Sequence, residues 1–257
     1  KKILKQVLKK IINKALLNTT VQINLNDSNL KPSETDVTMF IYKSGTNNLL
    51  QTLVHTLNRY KNPDTLILDP SMNYDIAIAT LPPIFKKGIE IVKHTHNIIE
   101  IDAPQGFIKL TSSRSPFNVN YPMRVTQKGE QRTINHQHLN STEKYLTGDY
   151  TLEIFTLPRI YKEITVSDKQ TTIVDIPAAG TLNLRLKSPT IGQLFIENKK
   201  GELDWVINLD SSLNSQKWNL QPGKYKVIYR GKKQYSSAYT KEKSFTIKSN
   251  NTIYLTL

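Results

Sequence analysis

At 257 residues, 38% of them hydrophobic, the chain is too long for one small domain and apolar enough for two or three real cores. It contains no cysteine, which excludes a disulfide framework, a zinc knuckle and a thiol nucleophile, and no apolar run approaches the roughly 20 residues of a membrane span. The formal net charge of +14 sits at the two ends: residues 1–17 carry six lysines and no acid, residues 18–178 balance, and residues 179–257 carry 13 basic against five acidic side chains.

The chain starts at Lys1 rather than Met and shows no signal peptide, so we read it as a mature or trimmed fragment. Its first element is a predicted helix over 2–17. Ile3, Leu4, Val7, Leu8, Ile11, Ile12, Ala15 and Leu16 fall at spacings of three and four, with Lys2, Lys5, Lys9, Lys10 and Lys14 on the other face. Such a stripe is expected to bury itself, either at an anionic membrane surface or by docking on protein.

From residue 18 onward the period changes to two. Val21-Gln-Ile-Asn-Leu25 alternates apolar and polar, and strand-sized runs follow at 37–43, 49–55, 65–68, 73–79, 88–93 and 97–102. No helix-length periodic segment separates these runs, so antiparallel sheets are predicted.

The same pattern returns twice. Leu68-Asp-Pro-Ser-Met-Asn-Tyr74, Tyr145-Leu-Thr-Gly-Asp-Tyr150 and Leu220-Gln-Pro-Gly-Lys-Tyr225 each lead from a turn through a tyrosine into a strand, and the tyrosines are 76 and 75 residues apart. Thr80-Leu81-Pro82 and Thr156-Leu157-Pro158 each begin six residues after their tyrosine. Closing strands follow at Asn97–Ile101, Thr172–Ile176 and Thr252–Leu257. Pro104/Gly106 and Pro177/Gly180 mark junctions of almost no length, proline because it ends a ladder and glycine because it permits a bend. The prediction is all-β: three tandem antiparallel seven-stranded sandwiches of Ig-like or transthyretin-like type over 18–103, 104–178 and 179–257, preceded by the helix.

A tyrosine at a strand start after a Pro/Gly turn suits a tyrosine corner, its ring in the core and its hydroxyl on an upstream carbonyl. Ligand stacking by the three tyrosines is the competing idea.

Asn18-Thr-Thr-Val-Gln-Ile-Asn-Leu25, Asn62-Pro-Asp-Thr-Leu-Ile-Leu-Asp-Pro70, Ile101-Asp-Ala-Pro-Gln-Gly106 and Thr142-Glu-Lys-Tyr-Leu146 resemble the C-terminal region of bacterial, Bacteroidetes-type von Willebrand factor type A domain proteins. The resemblance implies an extracytoplasmic protein (periplasm or cell surface) and an N-terminal metal-binding A domain outside this chain. It places the helix of 2–17 just after that domain, which favours docking on protein over a membrane surface.

The remaining candidates are weak. Asp210-Ser-Ser212-Leu-Asn214 comes close to a metal-binding Asp-x-Ser-x-Ser loop, but the third position is Asn and no parallel α/β pattern surrounds it, so a hairpin turn is expected. His94-Thr-His96 and His136-Gln-His138 put two rings on one strand face without a third ligand. No nucleophile elbow or phosphate-cradling glycine loop occurs. We therefore predict no catalytic residue, metal or cofactor.

The third copy differs in chemistry. It holds both tryptophans, Trp205 and Trp218, and residues 224–248 carry eight basic side chains against Glu242 alone. Trp205, Trp218, Tyr229, Arg230, Lys232, Lys233, Tyr235 and Tyr239 form the candidate partner surface. Aromatics interleaved with cations suit a protein or a cell-surface polymer. Scarce arginine and the lack of a recognition fold speak against nucleic acid. The predicted function is a non-catalytic binding and scaffold region, a rod of three sandwiches that positions the N-terminal domain. The alternative is a carbohydrate-binding module of a glycan-processing enzyme.

Overall fold

The computed structural model describes residues 19–112 and 120–257. The helix expected over 2–17, with Ile3, Leu4, Val7, Leu8, Ile11 and Ile12, lies outside the described residues. What is described is all-β, with 21 strands in three pairs of sheets and a single 3-10 turn, Ser237–Tyr239.

The first pair comprises β1 (Thr20–Asn26), β2 (Val37–Lys43), β3 (Leu49–His55), β4 (Thr65–Leu66), β5 (Tyr74–Ile78), β6 (Ile84–Ile89) and β7 (His96–Asp102), in sheets ordered β4-β1-β7 and β3-β2-β5-β6. The second comprises β8 (Gln105–Thr111), β9 (Pro122–Gln127), β10 (Thr133–His138), β11 (Thr142–Leu146), β12 (Gly148–Ile154), β13 (Ile160–Val166) and β14 (Thr171–Asp175), ordered β11-β8-β14 and β10-β9-β12-β13. The third comprises β15 (Gly180–Arg185), β16 (Thr190–Glu197), β17 (Leu203–Asn208), β18 (Ser215–Leu220), β19 (Gly223–Gly231), β20 (Lys241–Ile247) and β21 (Thr252–Thr256), ordered β18-β15-β21 and β17-β16-β19-β20. Strand for strand, one topology occurs three times.

Two expectations need correction. The sheets are not wholly antiparallel: β1 pairs parallel with β7, setting Ile23 beside Ile99, and β15 pairs parallel with β21. A parallel pair needs a long crossover but not a helical one; here the chain crosses through the opposing sheet. The sixth strand runs over Ile84–Ile89 rather than 88–93. It is a sheet edge, and its exposed Phe85, Lys86 and Lys87 lack the alternation that marks a half-buried strand.

The period of two places the cores. Val37, Met39 and Ile41 of β2 and Tyr74, Ile76 and Ile78 of β5 point inward against Val21, Ile23 and Leu25 of β1. In the third pair Leu182, Leu184, Leu194, Tyr225, Val227 and Ile247 form the matching cluster. Each aliphatic side chain buried in this way stabilises by about 1.5–3 kcal/mol.

The repeated tyrosines are core residues. Tyr74, Tyr150 and Tyr225 are 1–2% exposed. The Tyr74 hydroxyl donates to Asp69 O at 2.9 Å and that of Tyr225 to Gln221 O at 2.6 Å. Burial pushes the Tyr225 phenol well above its ordinary range.

Tertiary contacts group the described residues into two units, one of 19–108, Glu143–Asp149 and Thr165–Thr172, the other of 109–112, 120–142, Tyr150–Ile164 and Ile173–Leu257. The second sheet pair contributes to both. Within the first unit Gly106 lies against the turn at 167–170, and within the second Gly180 lies against the turn at 248–251. Their role is close approach rather than bending: a Cβ on Gly106 would collide with Ser167 O, and one on Gly180 with Lys248 O. Chemical unfolding of Gly106→Ala is expected to show a loss of at least about 2 kcal/mol; a wild-type midpoint would mean that this backbone has room.

Candidate binding surface and the contacts between successive copies

Three connections of the third sheet pair meet at one end: the β15–β16 loop, the β17–β18 loop and the β19–β20 loop. The last of these is tied down locally. Gln234 N donates to Gly231 O at 2.9 Å, Gly231 N to the Gln234 side chain at 3.1 Å, and Lys232 N to Pro189 O at 2.8 Å. Arg230 Nη1 donates to Tyr235 O at 3.3 Å, and Ser236 caps the 3-10 turn that carries Tyr239.

The result is an open groove of about 920 Å³ with Lys187, Arg230, Lys232, Lys233 and Lys241 around it and Tyr229 and Tyr239 in its wall. No acidic side chain is among its lining residues, and among the described residues none of the five cations is ion-paired. The Asp210 carboxylate lies in the β17–β18 loop. The Ser212 hydroxyl and amide hold it below the usual carboxylate range, with the Lys232 charge a smaller contributor.

Of the eight side chains predicted for the partner surface, Tyr229, Arg230, Lys232, Lys233 and Tyr239 line this groove, and Tyr235, 87% exposed, projects from the same loop. The tryptophans stand apart. Trp218 lies on β18 and packs against the core of the third pair. Trp205 lies on β17, 56% exposed, its indole donating to Asn208 Oδ1 at 3.1 Å. The two tryptophans thus stand on different sheets.

The other sequence candidates resolve as local structure. Asp210 Oδ1 accepts from Ser212 N at 2.9 Å and Ser212 Oγ at 2.6 Å, which closes an Asx turn. His94 occupies a turn at φ 60°, and His96 Nδ1 meets Thr20 Oγ1 at 2.8 Å. His136 and His138 are exposed on β10.

Thr80-Leu81-Pro82 and Thr156-Leu157-Pro158 have a use that their sequence did not disclose. Each contains a cis Leu–Pro bond, and each threonine Oγ1 donates to the proline carbonyl, at 2.7 and 2.6 Å. In the first unit Leu81 O accepts from Leu146 N at 2.8 Å; in the second, Leu157 O accepts from Gln221 N at 2.7 Å. The donors are equivalent, four residues before Tyr150 and Tyr225. Leu146 also packs on the core of the first pair, and Leu157 on that of the third. The tripeptide is the seam between one copy and the next.

In the first unit charges reinforce the seam. Asp27 and Glu34, both 3% exposed in the β1–β2 loop, pair with Lys169 and Lys144; Lys144 Nζ stands 2.6 Å from Glu34 Oε2. Gln105 Nε2 donates to the same Glu34 oxygen at 3.2 Å, and Ser28 Oγ to Asp168 Oδ2 at 2.5 Å. Buried His55 sits behind, between Glu34 O and Ile23 O, with burial pushing its pKa down. Sequence reasoning missed all of these. Partners 21 to 142 residues apart follow no local spacing.

No protein-family model matches the chain, and no curated protein matches it. Among solved structures, the Bacillus anthracis TIE protein is 12% identical and overlaps 93% of this chain and 50% of that one, at a TM-score of 0.27. GBS52, the minor pilin of Streptococcus agalactiae, is 12% identical over 62% of this chain and 94% of that one, at 0.32. The pilus adhesin SpaC from Lactobacillus rhamnosus GG is 10% identical over 93% of this chain and 43% of that one, at 0.21. The chain thus spans half the length of the first of these, and no overlay is close enough to transfer a residue or a role.

Proposed function

We propose that the chain is a non-catalytic binding and scaffold region of an extracytoplasmic protein: three sandwich domains, over 18–103, 104–178 and 179–257, each joined to the next by a seam, the last presenting the basic groove to a partner. The observation that carries this reading is the repeated seam, in which equivalent leucine carbonyls accept from equivalent amides of the following copy. A flexible string of domains has no use for such bonds; a scaffold that sets the spacing of its binding site does. The family resemblance supports a further N-terminal ligand-binding domain as the object positioned, with residues 2–17 docking against it. The groove, rather than either tryptophan, would meet the protein or cell-surface polymer.

Native-state hydrogen exchange of the whole chain tests the scaffold. The Leu146 and Gln221 amides are expected to exchange at least roughly a hundredfold more slowly than unprotected amides. Exchange at the unprotected rate would mean that the seams open freely and would remove the basis of the reading.

A further inference from the structure

The groove of the third sheet pair occupies a place with a known use elsewhere in the chain. In the first pair the corresponding connections are the β1–β2 loop with Asp27 and Glu34, the β5–β6 loop with Leu81, and the stretch after β7 with Pro104. The first two touch the following copy, Asp27 and Glu34 pairing with Lys169 and Lys144 and Leu81 O accepting from Leu146 N; Pro104 opens that copy, and its carbonyl accepts from Thr147 N at 2.9 Å. This end of the sandwich is a docking end, and its contacts join carboxylates on one side to lysines on the other.

In the third copy the same end has the opposite sign. Gly231-Lys232-Lys233 stands where Thr-Leu-Pro stands in the first two, and Lys187 of the β15–β16 loop lies in the loop equivalent to the one bearing Asp27 and Glu34. The carboxylates that the first seam places at this end are absent here, and the exposed cations that stand in their stead call for an acidic occupant.

We infer that the basic end of the third sandwich is a docking seat for an acidic protein surface, with the signs of the first seam exchanged: partner carboxylates take the side that Lys144 and Lys169 hold there, facing cations in place of Asp27 and Glu34. The inference rests on the scaffold reading above and names the partner class it left open. A protein partner is favoured over an anionic polymer by the composition of the wall. Tyr229, Tyr239 and Arg230 are the residue types that anchor protein interfaces, and Tyr239 is 54% exposed. The β19–β20 loop is held in shape by its own hydrogen bonds, which suits a preformed seat.

Titration calorimetry of the whole chain at low salt tests this with two probes, the acidic copolymer poly(Glu,Tyr) and long-chain inorganic polyphosphate. Saturable binding of poly(Glu,Tyr), at least roughly tenfold weaker in Lys232→Glu/Lys233→Glu, is expected. Lys224→Glu, a charge reversal at an exposed lysine outside the groove, is expected to bind as wild type. Tyr239→Ala is expected to weaken poly(Glu,Tyr) more than polyphosphate. All three sites are exposed, and an unchanged melting midpoint confirms folding. Polyphosphate binding more tightly than poly(Glu,Tyr), or equal weakening of both by Tyr239→Ala, would assign the groove to a phosphate polymer and overturn the inference. No binding of the copolymer, or loss with Lys224→Glu equal to that with the groove variant, overturns it too. Protected Leu146 and Gln221 amides with no copolymer binding reject this inference alone; unprotected amides reject the scaffold reading whatever the titration gives.

Discussion

Tyr225→Ala is expected to cost the third sandwich about 3–5 kcal/mol, while Tyr225→Phe costs only about 1 kcal/mol. The ring is 2% exposed and stacks on Phe245 with centroids 5.7 Å apart and planes 14° from parallel. Truncation to alanine therefore leaves a cavity among Leu182, Leu194, Val227 and Ile247 that the rigid sheets cannot close. The phenylalanine variant keeps the ring and removes one hydrogen bond, that to Gln221 O. Gln221 is also the residue whose amide meets Leu157 O, so the alanine variant should loosen the seam as well as the core. Chemical denaturation gives both costs, and exchange at the Gln221 amide reports the seam. A ligand-stacking tyrosine would give the reverse pattern, with stability nearly unchanged and binding lost.

The second large effect is expected at the seam of the first unit. Glu34→Ala removes the carboxylate that both Lys144 and Gln105 use, leaves a buried amide without that partner, and should cost about 3 kcal/mol. Asp27 adds a pH dependence. Its carboxyl is held well below the ordinary carboxylate range, first by Lys169, against burial, which acts the other way, and further by the amides of Lys31 and Asn29. A carboxyl whose folded value lies below its unfolded value binds its proton more readily when unfolded. Its contribution is therefore complete above about pH 4 and fades as pH falls through the folded value. Exchange at the Leu146 amide is expected to accelerate with acid in the wild type beyond the chemistry of exchange itself, and Asp27→Asn should already be fast at pH 7. A Leu146 amide equally protected in Asp27→Asn would show that the Lys169 pair contributes nothing to the seam.

Much of the fold was legible because sandwich strands announce themselves one face at a time. Val21, Ile23 and Leu25 alternate with polar residues for the same reason that Leu182 and Leu184 do: one face is core and the other is not. The tyrosines at intervals of 76 and 75 residues carried the repeat, since a buried ring needs its hydroxyl satisfied and the preceding turn supplies a carbonyl. The candidate surface was legible in part. Basic residues around Tyr229 and Tyr239 sit in one loop, so sequence proximity became spatial proximity. Trp205 and Trp218 fall on different sheets, and nothing in their spacing distinguished an exposed indole from a core one.

Taken alone, the amino-acid order determined what depends on neighbours along the chain: period-two strands, the turn before each tyrosine, the threefold repeat and the basic loop of 230–241. The tertiary structure alone decided what depends on neighbours across it. Parallel pairing of the first and last strands, the meeting of Leu81 with Leu146, and the burial of Asp27 and Glu34 against Lys169 and Lys144 join groups 65 or more residues apart. Local propensity acts over a few residues, whereas a carbonyl or a carboxylate takes whichever partner the packed cores bring within about 3 Å.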